Sequence, residues 1–142
     1  MAATDVIVDA SFLVSVWFED EDDHEEASSW YARETSRLVT TPVVVAEMDY
    51  MVRKYGGKDA VRVVIANLAT RALEVDWWDD AVRTCWKIVD VRPEIGIADA
   101  SLVALAAHRK TTRIATFDER HFRRLTPLTG EPSFTLLPAD AD

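Results

Sequence analysis

Short apolar runs alternate along this chain with stretches of helical periodicity, and that alternation restricts the folds open to it. Strand-like runs occur at about residues 5–9, at Leu38-Val39-Thr40, at Leu73-Glu74-Val75, at 113–116 and at Phe134-Thr135-Leu136-Leu137. Between them the spacing predicts helices over 11–18, 23–36, 42–55, 58–70, from Asp79-Asp80 to about 91, over 98–110 and over 119–125. Thr41-Pro42 is a strong helix start, because Thr caps free N–H groups and Pro fits the first helical position. Gly56-Gly57 and Arg92-Pro93-Glu94 act as breaks. Strands alternating with helices demand right-handed crossovers, hence a mostly parallel sheet covered on both faces, with Phe134–Leu137 as an edge. No repeat, linker or low-complexity tract interrupts the 142 residues, which read as one domain.

An apolar content of 49% suffices for a core without covalent staples. Cys85, the single cysteine, has no internal partner and reads as a core residue on a helical face with Val82, Trp86 and Val89. No run reaches the ~18 apolar residues of a membrane span and no leader pattern is present, so a cytosolic protein is expected. The formal net charge of −9 argues against wholesale attraction to nucleic acid or anionic lipid, though not against a local basic face. Part of the acidity lies in the run from Glu19 to Glu26, read as a solvated loop and helix start where negative charge complements the helix dipole.

Four carboxylates stand apart from that solvated charge. Asp9 follows Val6-Ile7-Val8, Glu47 lies inside Pro42-Val43-Val44-Val45-Ala46-Glu47-Met48, Asp99 divides Ile97-Ala98 from Ala100-Ser101-Leu102, and Asp118 closes Ile114-Ala115-Thr116-Phe117. An unpaired carboxylate taken out of water costs several kcal/mol, so each needs a compensating partner. A divalent cation supplies one. The predicted elements put Asp9 and Asp118 at carboxyl ends of strands, Asp99 in the first turn of a helix and Glu47 in the second turn of another. Ligands of open parallel sheets bind outside the carboxyl ends of the strands where the strand order reverses, so one crevice can hold all four. Hard oxygen donors without neighbouring Cys or His suit Mg²⁺ or Mn²⁺ and phosphodiester hydrolysis.

Val8-Asp9-Ala10-Ser11, Glu47 in the Pro42 helix, Ile97-Ala98-Asp99-Ala100 and Thr116-Phe117-Asp118-Glu119-Arg120-His121-Phe122, in that order, resemble the PIN-domain ribonucleases, and within them the VapC-type toxins of bacterial toxin–antitoxin pairs. The resemblance covers essentially the whole chain. It implies a three-layer α/β/α sandwich around a five-stranded, mostly parallel sheet. It further implies Mg²⁺- or Mn²⁺-dependent endonucleolytic cleavage of cellular RNA, tRNA or rRNA, to inhibit translation and growth. A homodimer and a cognate, VapB-like antitoxin belong to the same implication. Asp9, Glu47, Asp99 and Asp118 match the family's acidic metal ligands, and Ser11 and Thr116 match hydroxyl positions that orient those carboxylates. Where some members carry a further carboxylate, this chain has Arg120, so a tightly held second ion is not implied without the RNA phosphate.

Basic residues gather at Arg53-Lys54 with Lys58 and Arg62, at His108-Arg109-Lys110 with Arg113, and at Arg120, His121, Arg123 and Arg124. The last group follows Asp118, and Arg120, Arg123 and Arg124 are the candidates for RNA phosphate contacts. None of the three histidines recurs at metal-ligand spacing with another: His24 and His108 receive no role, and His121 at most a contact to substrate. Of Trp17, Trp30, Trp77, Trp78 and Trp86, adjacent Trp77 and Trp78 cannot both face one core, so one of them contacts a partner or a loop. Two other function classes also place an Asp after the first strand of such a sheet, or keep the fold without the chemistry. Phosphatase or receiver-like phosphoryl transfer commonly needs a further nearby carboxylate where Ala10-Ser11 stands, and an inactive binding module would not need a complete acidic set.

Overall fold

In the computed structural model, which describes residues 4–142, the alternating pattern resolves into five strands and six α-helices. Strand β1 (Val6–Val8) leads into α1 (Ala10–Trp17) and α2 (His24–Arg33); β2 (Leu38–Thr40) into α3 (Pro42–Ala69); β3 (Glu74–Val75) into α4 (Ala81–Val91), a 3-10 turn and α5 (Gly96–His108). Strand β4 (Arg113–Ala115), the one-turn α6 (Glu119–Phe122) and β5 (Thr135–Leu137) complete the chain. All strands pair in parallel in the order β3-β2-β1-β4-β5, with Ile7 opposite both Val39 and Ile114. The chain builds outward from β1 to β3 and then returns to the other side of β1. Strand order therefore reverses between β1 and β4, and a crevice opens at their carboxyl ends.

Burial explains the rank of the elements. Val6, Ile7 and Val8 are completely buried, and α5 is buried from Ala100 through Ala106. Three alanines among its buried residues, Ala100, Ala104 and Ala106, let α5 lie close on β1, and it packs against α3 and α4 as well. Phe12 of α1 and Phe122 of α6 are among the largest fully buried side chains. Among the described residues no helix is long and apolar enough to cross a membrane.

Two hydroxyls at the end of β2 connect elements that are far apart in sequence. Thr40 Oγ1 donates to the Val8 carbonyl at 2.8 Å. Thr41, the N-cap of α3, accepts from the Val44 N–H at 3.2 Å and lies 2.8 Å from Ser101 Oγ. Ser101 Oγ gives its own proton to the Ala98 carbonyl at 2.7 Å, so Thr41 is the donor to Ser101. This buried relay fixes the start of α3 against the first turn of α5.

Helix α4 corrects one sequence expectation. Its buried stripe is Ala81, Cys85 and Ile88, whereas Val82 and Trp86 are 60% and 65% exposed. Both stripes are apolar at helical spacing, one residue apart, and only the docking of α4 on α5 selects between them. Cys85 is buried as expected, and burial pushes its thiol up, away from reactivity. Helix α3 is interrupted at Gly57, whose φ of 59° and ψ of −142° lie in a region essentially reserved for glycine. Gly57→Ala should therefore cost about 1–3 kcal/mol in chemical denaturation although a Cβ there meets nothing within 4 Å; an unchanged midpoint would show that the kink is not imposed by the fold.

Candidate metal centre

The geometry starts at Asp9, which caps α1 and continues the β1–β4 ladder by donating its N–H to the Ala115 carbonyl at 3.0 Å. Its Oδ1 accepts from the Ala10 N–H at 2.8 Å, and its Oδ2 accepts from Ser11 Oγ at 3.0 Å and Thr116 Oγ1 at 2.7 Å. The two hydroxyls then accept in turn, Ser11 from the Phe117 N–H at 3.1 Å and Thr116 from the Asp118 N–H at 2.9 Å. One carboxylate thus ties α1 to the loop after β4. It is 6% exposed, and burial pushes it up against the opposing pull of these three donors.

Glu47, Asp99 and Asp118 join Asp9 on the wall of a single open groove of about 460 Å³, where Met51, Ile95 and Ile97 provide apolar lining. Their positions follow from local structure: Glu47 lies in the second turn of α3, Asp99 in the first turn of α5, and Asp118 caps α6 by accepting the His121 N–H. The four predicted carboxylates are therefore brought together. Burial, followed by the negative charge of Asp9, pushes Asp99 up to about 6, with His121 pulling the other way. Burial and the charges of Asp9, Asp99 and Asp118 also raise Glu47. Among the described residues no Lys or Arg pairs with any of the four, although most other partly buried acids here have such a partner. Clustered carboxylates with no Lys or Arg partner, of which Asp99 and Asp118 meet only the imidazole of His121, form a donor set that fits a divalent cation.

Sequence reasoning gave His121 at most a contact to substrate and did not place it among the carboxylates. Its Nδ1 lies 3.1 Å from Asp99 Oδ2 and 3.0 Å from Asp118 Oδ2, and the three side chains can offer ligand atoms within 4.8 Å of one another. The available signal was the Asp118-x-x-His121 spacing, three residues apart in a helical turn; a search for pairs of histidines could not find it. Among the candidate phosphate contacts, Arg123 has both terminal nitrogens engaged, with Asp140 at 2.7–2.8 Å and Glu119 at 2.9 Å. Arg120 is exposed, and Arg124 shares a smaller adjoining hollow with Arg92 and His121. Trp30 meets Phe12 edge to face in the core, and Trp78 stacks on His108 with ring centroids 4.1 Å apart. Trp77 and Trp86 remain open to solvent.

The PIN domain family matches residues 6–126. Ribonuclease VapC26 of Mycobacterium tuberculosis is 38% identical over 138 residues, covering 94% of this chain and all of that protein. Among solved structures, VapC20 of Mycobacterium tuberculosis, described as a sarcin–ricin loop cleaving toxin, superposes with a TM-score of 0.74 at 18% identity, over 80% of this chain and 90% of its own. VapBC2 of Rickettsia felis, solved bound to a DNA fragment from its promoter, gives 0.63 at 18% identity, over 88% and 96%.

A pH dependence follows from Asp99. Between the ordinary carboxylate value of 3.8 and about 6, the folded protein keeps a proton that the unfolded chain has released, so folding loses stability as pH rises through that window. The loss is on the order of 3 kcal/mol at most. The melting temperature of EDTA-treated protein should fall between pH 4 and 7, millimolar Mn²⁺ or Mg²⁺ should recover it at pH 7, and Asp99→Asn should flatten the metal-free profile. A metal-free Asp99→Asn protein no more stable than wild type at pH 7 would contradict the repulsion.

Proposed function

The chain belongs to the PIN-domain family, and from that membership we propose that it is an endoribonuclease acting as the toxin of a toxin–antitoxin pair, cleaving cellular tRNA or rRNA with Mg²⁺, or Mn²⁺ in its place. The observation that carries the reading is the convergence of Asp9, Glu47, Asp99 and Asp118 in one groove where, among the described residues, no Lys or Arg neutralises them and His121 alone meets Asp99 and Asp118. Ribonuclease VapC26, matched over nearly the full length of both chains, supports the substrate class. A divalent ion held by Asp9, Glu47, Asp99 and Asp118 would supply a bound water of lowered pKa and positive charge opposite the scissile phosphate.

The protein's own contribution is to hold its ligands still. Asp9 has both oxygens oriented by the Ala10 N–H and the hydroxyls of Ser11 and Thr116, which leaves its remaining lone pairs in fixed directions. Glu47 and Asp99 are kept in register by the Thr41–Ser101–Ala98 relay, and Asp118 by its role as cap of α6. Approach of a polyanion to a chain of net charge −9 has to be local. Arg120 and Arg124 are the free cations of the basic cluster after Asp118, while Arg123 would have to leave Asp140 and Glu119 to join them.

A VapB-like antitoxin is the partner that this reading includes, together with a second copy of the chain as a homodimer. The VapBC2 structure supports the first by likeness of fold, and the exposed Val82, Trp86 and Val91 of α4 offer apolar surface for association. Four carboxylates in one groove favour a partner that places an Arg or Lys there, replacing the ion's charge.

Two experiments test these assignments. Asp99→Asn removes a ligand charge with little change in shape and should lower RNA cleavage at saturating Mg²⁺ by at least about 100-fold, while Thr116→Val should weaken metal binding by roughly 10–100-fold; wild-type cleavage by purified Asp99→Asn would end the metal-nuclease reading. For the partner, changing the antitoxin's groove-facing cation to Ala should weaken inhibition and make it insensitive to Mg²⁺ concentration. Equal inhibition by the Ala variant would replace charge compensation with simple obstruction of RNA.

A further inference from the structure

Nothing in the four-carboxylate reading uses the imidazole that sits among them. We infer that His121 is a nitrogen ligand of the ion held by Asp99 and Asp118, and that it gives the site a preference for Mn²⁺ over Mg²⁺. The inference rests on the metal reading proposed above and adds to it a ligand and a selectivity.

The argument begins with the backbone. Asp118 caps the single turn of α6, and its Oδ1 accepts the His121 N–H at 3.4 Å, so both side chains leave the turn on the side that faces the first turn of α5. There His121 Nδ1 lies 3.1 Å from Asp99 Oδ2 and 3.0 Å from Asp118 Oδ2. Two donors at right angles around an ion with bonds of about 2.1 Å are themselves about 3 Å apart, so the nitrogen already stands at the separation of a neighbouring ligand from each carboxylate, and the ligand atoms offered by the three residues all lie within 4.8 Å of one another. The same separations suit a hydrogen-bonded counter-ion, but the imidazole faces two carboxylates from different helices through one nitrogen, which can donate a single proton and so cannot satisfy both as well as an ion shared by all three would.

The chemistry of the donor then sets the metal. Mg²⁺ takes oxygen ligands and gives up its waters reluctantly, whereas Mn²⁺ accepts imidazole beside carboxylates more readily. Replacing one oxygen position by nitrogen moves the balance toward Mn²⁺. The other two histidines lie elsewhere: His24 Nδ1 bonds the Ser15 carbonyl at 2.8 Å, and His108 stacks on Trp78. A nitrogen signal on an ion bound in the groove is thereby assignable to His121, the imidazole of its lining.

The test uses the full chain with Mn²⁺ as the probe. Free Mn²⁺ is followed by its EPR signal during titration, Mg²⁺ affinity is obtained by competition, and pulsed EPR records ¹⁴N hyperfine coupling on the bound ion. Wild type should show the coupling. His121→Ala should lose it and bind Mn²⁺ about ten-fold more weakly, with a smaller loss for Mg²⁺, so the Mn²⁺/Mg²⁺ affinity ratio falls. His121→Asp, which substitutes a hard oxygen, should also lack the coupling and shift the ratio further toward Mg²⁺, which guards against a loss caused by misfolding in the Ala variant. Bound Mn²⁺ without nitrogen coupling in wild type, or unchanged or tighter Mn²⁺ binding in His121→Ala, would overturn the inference and leave His121 as a counter-ion that the metal displaces. Wild type that binds no Mn²⁺ would instead overturn the metal reading beneath it.

Discussion

Pairing of β1 with β4 is the contact on which the groove depends, because it is where the sheet changes direction and where a carboxylate stands at the end of a completely buried strand. A backbone bond from Asp9 to Ala115 carries the ladder one residue beyond Val8, and the side chain at that position then collects hydroxyls from both flanking segments. Loss of this pairing would separate Asp9 from Asp118 together with the loop that orients them. The remaining ligands come from α3 and α5, which reach the same opening because α5 rests on β1 and a buried hydroxyl relay joins it to the start of α3. Ordinary packing of an α/β core thereby delivers four like charges to one place.

Those charges oppose the fold that gathers them. Burial and neighbouring negative charge push Asp99 up to about 6 and raise Glu47, so in the metal-free groove desolvation and repulsion act in the same direction. The cost is tolerable because the groove is open on one side and because Asp9, the most buried member, has three hydrogen-bond donors of its own. A binding site of this kind exchanges stability without ligand for affinity with it.

Much of this was legible from residue order. Strand Leu38–Thr40 and the Thr41-Pro42 helix start agree with the sequence reading, because their signals are local: a three-residue apolar run and a cap with proline behind it. Asp9, Asp99 and Asp118 were legible for a different reason, since acidic groups framed by apolar residues conflict with burial unless something compensates, whereas Glu47, framed in the same way, is exposed on its helix and joins the groove from the solvent side. Two features were not. The orientation of α4 depended on which of two adjacent apolar stripes met α5, a choice made between helices and absent from the α4 sequence itself. His121 was not placed among the carboxylates because its partners are Asp99, 22 residues earlier in another helix, and Asp118 in its own cap; metal-ligand spacings learned for histidine pairs do not describe that arrangement.

Asp140 accepts from both terminal nitrogens of Arg123 and from the Leu136 N–H, so the residues after β5 are fastened at once to the sheet edge and to α6. Because α6 is a single turn, it has little internal strength and takes its position from such fastenings as well as from buried Phe122. A neutral side chain in place of Asp140 would cut the link and leave Arg123 held by Glu119 alone, trading rigidity of the turn that carries Asp118 and His121 for a more mobile positive charge beside the groove.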